Sequence, residues 1–156
     1  MYQWLVVVHL VGLVVFAVCH GVSAFVAFRI RGSRDRSLVI ELLALSQRAN
    51  QFAYLGLLLL LVGGIGAGAQ SGVLTATWVL ATGAVLIAVL VAMFGLAAGF
   101  YYPLRRRLAE ESPADGAPLS GDALVAALDN RRPDLLAAVG FGGLIVMVAL
   151  MVFKPT

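Results

Sequence analysis

The stretch "LVVVHLVGLVVFAVCHGVSAFVAF", residues 5–28, contains no Asp, Glu, Lys or Arg, and it runs straight into "RIRGSRDR", residues 29–36. A helix rises 1.5 Å per residue and the hydrocarbon core of a bilayer is about 30 Å thick, so about 20 apolar residues make one crossing. This run is long enough. A cleaved signal peptide starts with a positive n-region. Here "MYQW", residues 1–4, has no basic side chain, and the first basic residues, Arg29 and Arg31, follow the apolar run. The order predicts an uncleaved first span with its N-terminus outside.

Three further stretches meet the same criterion: 52–69, 78–102 and 135–153. The whole chain is 62% hydrophobic and 12% charged. A soluble domain is about half apolar and about a quarter charged, so lipid is the expected solvent. The single cysteine, Cys19, excludes an internal disulfide and any cysteine-cluster metal site.

The placement of charge gives the orientation. The ten arginines fall at Arg29, Arg31, Arg34, Arg36 and Arg48, then Arg105, Arg106 and Arg107, then Arg131 and Arg132. All lie in two connections, 29–51 and 103–134. The N-terminus and "QSGVLTAT", residues 70–77, carry none, and Lys154 stands alone near the C-terminus. Lys and Arg concentrate in cytoplasmic segments, so both termini are expected outside. That placement also accounts for the net charge of +3, and no nucleic-acid partner is expected. Trp4, Trp78, Tyr101 and Tyr102 sit near span ends, where amphipathic aromatics favour the interface.

The expected fold is therefore all-α: one domain, 1–156, forming an up-down four-transmembrane-helix bundle with sequence neighbours adjacent in space. "SLVIELLALSQRANQ", residues 37–51, reads either as the interfacial start of the second span's helix or as a separate surface helix. In the second connection, Pro113, Gly116 and Pro118 predict a loop. "SGDALVAAL", residues 120–128, predicts a short helix with Ser120 as its cap and Asp122 in its first turn. Pro133 suits the first turn of the fourth span, where its missing N–H costs nothing. Small residues recur at Gly64 and Gly68, Gly95 and Gly99, and Gly140 beside Gly142 and Gly143. In lipid such residues permit close backbone approach. They predict helix packing within the bundle, with self-association as the other use. "GGIGAG", residues 63–68, follows no strand and lies inside a span, so it is not a phosphate loop.

Function rests on the two histidines, His9 and His20. Eleven positions apart on a helix, they differ by about 20° in azimuth and about 16 Å in height. They share a face with Gly12 and Ser23 but are too far apart to hold one ion. Ionisable side chains inside a membrane usually face the bundle interior or a water-filled cavity. Three readings follow. In the first, His9 and His20 are ligands of haem b, one at each depth. The second ligand is then a partner chain's histidine or a methionine: Met93 near the depth of His20, Met147 and Met151 around that of His9. In the second, copper or another soft metal is held by a histidine, His9 or His20, with methionine and Cys19. The third has no cofactor, and each imidazole hydrogen-bonds a neighbouring helix. No acidic residue lies within a span, so no carboxylate-driven proton or sodium cycle is expected. Asn50, Gln51 and Tyr54 stand at the inner edge of the second span, either lining a cytoplasmic mouth or serving interfacial solvation.

"VVHLVGLVVFAVCHGVSAFVAFRIRGSRD", residues 7–35, followed by an amphipathic stretch and three more spans, resembles bacterial four-span membrane proteins near the CopD copper-resistance and HemJ groups. The likeness covers the topology of most of the chain, and its specific part is the first span. The resemblance implies a haem or metal site at His9. Cys19 and His20 replace the aromatic-glycine pair of those groups, and no span contains the lysine that a HemJ-type oxidase requires, so oxidase activity is not implied. The expectation is a small multi-pass protein of a bacterial inner membrane, a haem-b- or metal-binding electron-transfer or accessory subunit. The alternative is a non-catalytic assembly subunit of a larger membrane complex, with structural histidines. Expected partners are the lipid bilayer and other membrane subunits, or a second copy through the glycine-rich faces.

Overall fold

The structure, a computed structural model, describes residues 1–109 and 119–155. Six helices account for almost all of them: α1 (Tyr2–Ile30), α2 (Arg36–Ser71), α3 (Thr77–Ala98), α4 (Tyr101–Ala109), α5 (Gly121–Leu128) and α6 (Arg132–Phe153). Among the described residues there is no strand. Four helical segments are long and apolar enough to cross a membrane, and the chain is a multi-pass membrane protein with an all-α four-helix bundle. The outward faces are apolar: Val14, Val18, Leu58, Ile87, Val91 and Ile145 are each more than half exposed, as lipid-facing side chains must be.

The segment before the second span continues into it. α2 is one helix of 36 residues, about 54 Å long at 1.5 Å per residue, and its first turns project past the bilayer core. Asp35 starts it. Its carboxylate accepts from the N–H groups of Ser37 and Leu38, at 2.9 and 3.2 Å. The Ser37 hydroxyl, which donates to the same oxygen, and those backbone bonds hold its pKa below the usual carboxylate value. Gly72 ends the helix in the left-handed region at φ 71°, a conformation that costs glycine nothing. Leu74 then folds back onto Gly68, the apolar contact that accompanies such a stop.

The spans are not equally close. α1 packs along α2 for its full length, and α3 packs along α6, with α1 also touching α6. α2 and α3 are joined by a short turn, yet they do not pack along one another. Sequence neighbours are thus close packing neighbours for the first and second spans and for the third and fourth, while α2 and α3 face one another across a shared cavity. The α1–α2 seam explains the asymmetry. A Cβ added at Gly12 would collide with the Leu60 backbone, one at Gly56 with Phe16 N at 2.7 Å, and one at Gly63 with the His9 backbone. Three missing side chains let two backbones touch, and α3 offers α2 no equivalent. Of the glycines singled out above, Gly140 and Gly143 receive His20 and Val89, and Gly99 receives Arg132. Gly95 and Gly142 face open space.

The best-buried side chains lie at the arginine-rich end. Val26 and Ile30 of α1, Val39 and Leu43 of α2, Leu104 and Leu108 of α4, and Leu124 and Leu128 of α5 form one cluster. α4 and α5 cap the bundle there. Ser120 occupies the N-cap of α5 but makes no capping bond through its side chain. Pro133 lies in the first turn of α6. The arginines tie the cap to the spans: Arg36 donates to Leu108 O (2.6 Å), Arg105 to Leu43 O (3.1 Å), and Arg31 to Asp134 (2.9 Å). Arg34–Asp122 is largely exposed, and exposed pairs contribute little. The loop expected around Pro113, Gly116 and Pro118 lies outside the described residues.

Candidate functional site

His9 is seated by glycines. Gly63 brings the α2 backbone up to His9, and a Cβ at Gly64 would lie 2.8 Å from Nδ1. With no side chain in the way, Nδ1 reaches the carbonyl oxygen of Leu60 at 2.8 Å. A carbonyl only accepts, so Nδ1–H is the donor, and Nε2 is the nitrogen left with a lone pair. Metal-binding histidines are commonly oriented in this way, with the far nitrogen bonded to a backbone carbonyl.

His9 also lines a cavity of about 50 Å³ enclosed by all four spans. Thr82 of α3 and Met147 and Met151 of α6 line it too, with leucines and Phe16 completing the wall. The Thr82 hydroxyl donates back to Trp78 O at 2.7 Å, leaving only its oxygen lone pairs. The residues around the cavity that carry a nitrogen, sulfur or hydroxyl are therefore one histidine, two methionines and one threonine, and the wall they present with the leucines is apolar.

His20 is placed differently. It is 9% exposed and lies between Phe16, whose ring is nearly parallel at 6.2 Å, and Phe141, tilted at 4.8 Å. Among the described residues its Nε2 has no hydrogen-bond partner, and it abuts α6 where a Cβ of Gly140 would stand. Neither His20, Cys19 nor Met93 lines the His9 cavity, and Cys19 is a half-buried free thiol. The polar stripe on α1 also divides: His9 and Gly12 meet α2, Ser23 donates to Asn50 of α2 at 2.9 Å, and His20 turns to α6.

Pockets for drug-sized ligands run to about 300–1,000 Å³, and this cavity is about 50 Å³. It has room for one ion or a few waters. Among the described residues no three His, Cys, Asp or Glu side chains converge, so a metal here depends on thioethers. The sequence reading placed Met147 and Met151 near the depth of His9. It missed Thr82 and the Leu60 carbonyl, and the carbonyl has no sequence signature at all.

No family model matches the chain, and no curated protein or solved structure matches it either.

Proposed function

We propose that this protein is a metal-binding accessory subunit of a bacterial inner membrane, taking one soft monovalent ion, copper(I), at His9. The observation that carries this reading is the fixed imidazole. The Leu60 carbonyl holds Nδ1–H, while Met147 and Met151 line the same cavity. Thioethers favour copper(I) over harder cations, and an apolar cavity without carboxylates disfavours divalent ions that need charge neutralised. When bound, the ion would supply a site for metal transfer or one-electron exchange with a larger membrane complex. His9 orients it, and the surrounding leucines keep water out.

The test is copper(I) titration of the detergent-purified protein under anaerobic reducing conditions, against a competing chelator. One equivalent per chain is expected. His9→Ala should abolish it, Met147→Leu with Met151→Leu should weaken it at least tenfold, and His20→Gln should leave it intact. No uptake, or uptake indifferent to His9→Ala, rejects the proposal in favour of a structural subunit in which His9 serves as a helix-to-helix hydrogen bond. A Soret band that shifts on dithionite reduction would put haem in place of copper.

The arginine-rich cap faces the cytoplasm in this reading, in line with the charge bias of cytoplasmic segments. In a Cys19→Ala background, Thr75→Cys should react with an impermeant thiol reagent from outside, and Asp129→Cys should react only after lysis. Reversed labelling refutes the orientation.

A further inference from the structure

The four spans surround the cavity but are packed on three sides only. α2 lies along α1, α1 touches α6, and α6 lies along α3. The fourth side, between α3 and α2, has no such packing. There the cavity is lined by Leu57 and Leu60 of α2 and by Thr82 and Leu86 of α3. In a multi-pass protein a gap between two spans opens on hydrocarbon, so what reaches the cavity by the least displacement comes from the bilayer.

The wall does not suit water. A buried water makes about three hydrogen bonds. The polar groups nearest the space are already engaged, His9 Nδ1 with the Leu60 carbonyl and the Thr82 hydroxyl with Trp78 O, and the rest of the wall is apolar. Apolar cavities stay dry and take apolar guests, and one of about 150 Å³ holds benzene or xenon. This cavity is about 50 Å³, too small for a ring and wide enough for a molecule of two heavy atoms. Apolar molecules of that size in a bilayer are dissolved gases, and dioxygen partitions into hydrocarbon in preference to water.

We propose that the cavity is a binding site for one small apolar gas molecule, dioxygen, taken up from the bilayer. The inference goes beyond the copper reading and does not rest on it: the space and its wall are the same with or without an ion on His9.

The methionines report on it. The chain has four; Met147 and Met151 line the cavity, and Met1 and Met93 do not. The full chain, with carbon-13 in its methionine methyl groups and no metal added, is placed in lipid nanodiscs and studied by NMR under xenon, with helium at the same pressures as the baseline. The Met147 and Met151 resonances should shift along a saturating curve. Those of Met1 and Met93 should follow only the linear rise of xenon dissolved in lipid. Dioxygen is paramagnetic and should broaden the Met147 and Met151 resonances beyond that of Met93, and added xenon should relieve the excess. Leu86→Phe fills the space from α3 and should abolish the saturating shift. Leu86→Ala enlarges the space and should keep it, which separates a filled cavity from a lost fold. Linear shifts at all four methyl groups overturn the proposal, as does a saturating response that survives Leu86→Phe or disappears in Leu86→Ala. Saturation by xenon without excess broadening by dioxygen overturns the assignment of the guest. Failure of copper(I) uptake touches none of these outcomes.

Discussion

Gly63→Val should separate α1 from α2 and lower the stability of the bundle by about 3 kcal/mol. A Cβ at position 63 meets the His9 backbone and lies 2.7 Å from Leu5 O. Backbone atoms in the middle of a helix cannot swing aside as a side-chain tip can, so the cost belongs at the upper end of the overpacking range. For a chain of this length the melting temperature in detergent should fall on the order of 10 °C. The seam also carries the His9–Leu60 hydrogen bond, so the same variant should lose any ligand bound at His9. The comparison is Gly142→Val, also within a span, where added atoms meet nothing within 4 Å. Equal melting of the two variants would show that the α1–α2 seam is not the tight contact described.

The second large effect joins His20 to Gly140. An alanine at position 140 drives a methyl group into the imidazole, and the ring is confined by Phe16 and Phe141. Gly140→Ala should cost about 1–3 kcal/mol. His20→Ala loses no hydrogen bond at Nε2, which has no partner among the described residues. Its cost, on the order of 2 kcal/mol, comes from the cavity left between the two phenylalanines. The double variant puts the methyl group into that cavity. The two changes should therefore couple by at least about 1 kcal/mol in the compensating direction. Strict additivity in thermal unfolding would mean that the imidazole does not rest on Gly140.

The four spans can be read from the sequence because hydropathy and length alone define them. The pairing of the spans is harder to read, for a physical reason. A soluble helix shows its buried face as an apolar stripe. In lipid both faces are apolar, and the contact is chosen by small residues and close packing. Glycine marks such contacts without naming the partner. Gly64 and Gly68 were legible as packing residues, yet the collisions that define the α1–α2 seam lie at Gly12, Gly56 and Gly63. Gly95 and Gly142, with the same sequence signature, pack against nothing.

The candidate site shows the same limit. Counting residues from span centres gives depth, and depth placed Met147 and Met151 with His9, as their shared cavity does. Depth also suggested Met93 for His20. Depth says nothing of azimuth about the bundle, and the structure turns His20 towards Gly140. The partner of His9 is a main-chain oxygen, a group every residue has, so no pattern of side chains could have pointed to it.

The cluster at the arginine-rich end bears on how the chain is assembled. It draws on Val26 near the start and Leu128 near the end. Pairing of α1 with α2 needs only the first half of the polypeptide and can proceed in lipid as soon as both have inserted. Exclusion of water, absent between spans, drives closure of the cluster, and closure must wait until α5 has been synthesised. Biogenesis therefore has two stages under two solvents. The early stage is local and lipid-driven. The late one is aqueous and long-range, and it leaves a truncated or stalled product with its leucines uncovered, the kind of surface by which quality control recognises an unfinished membrane protein.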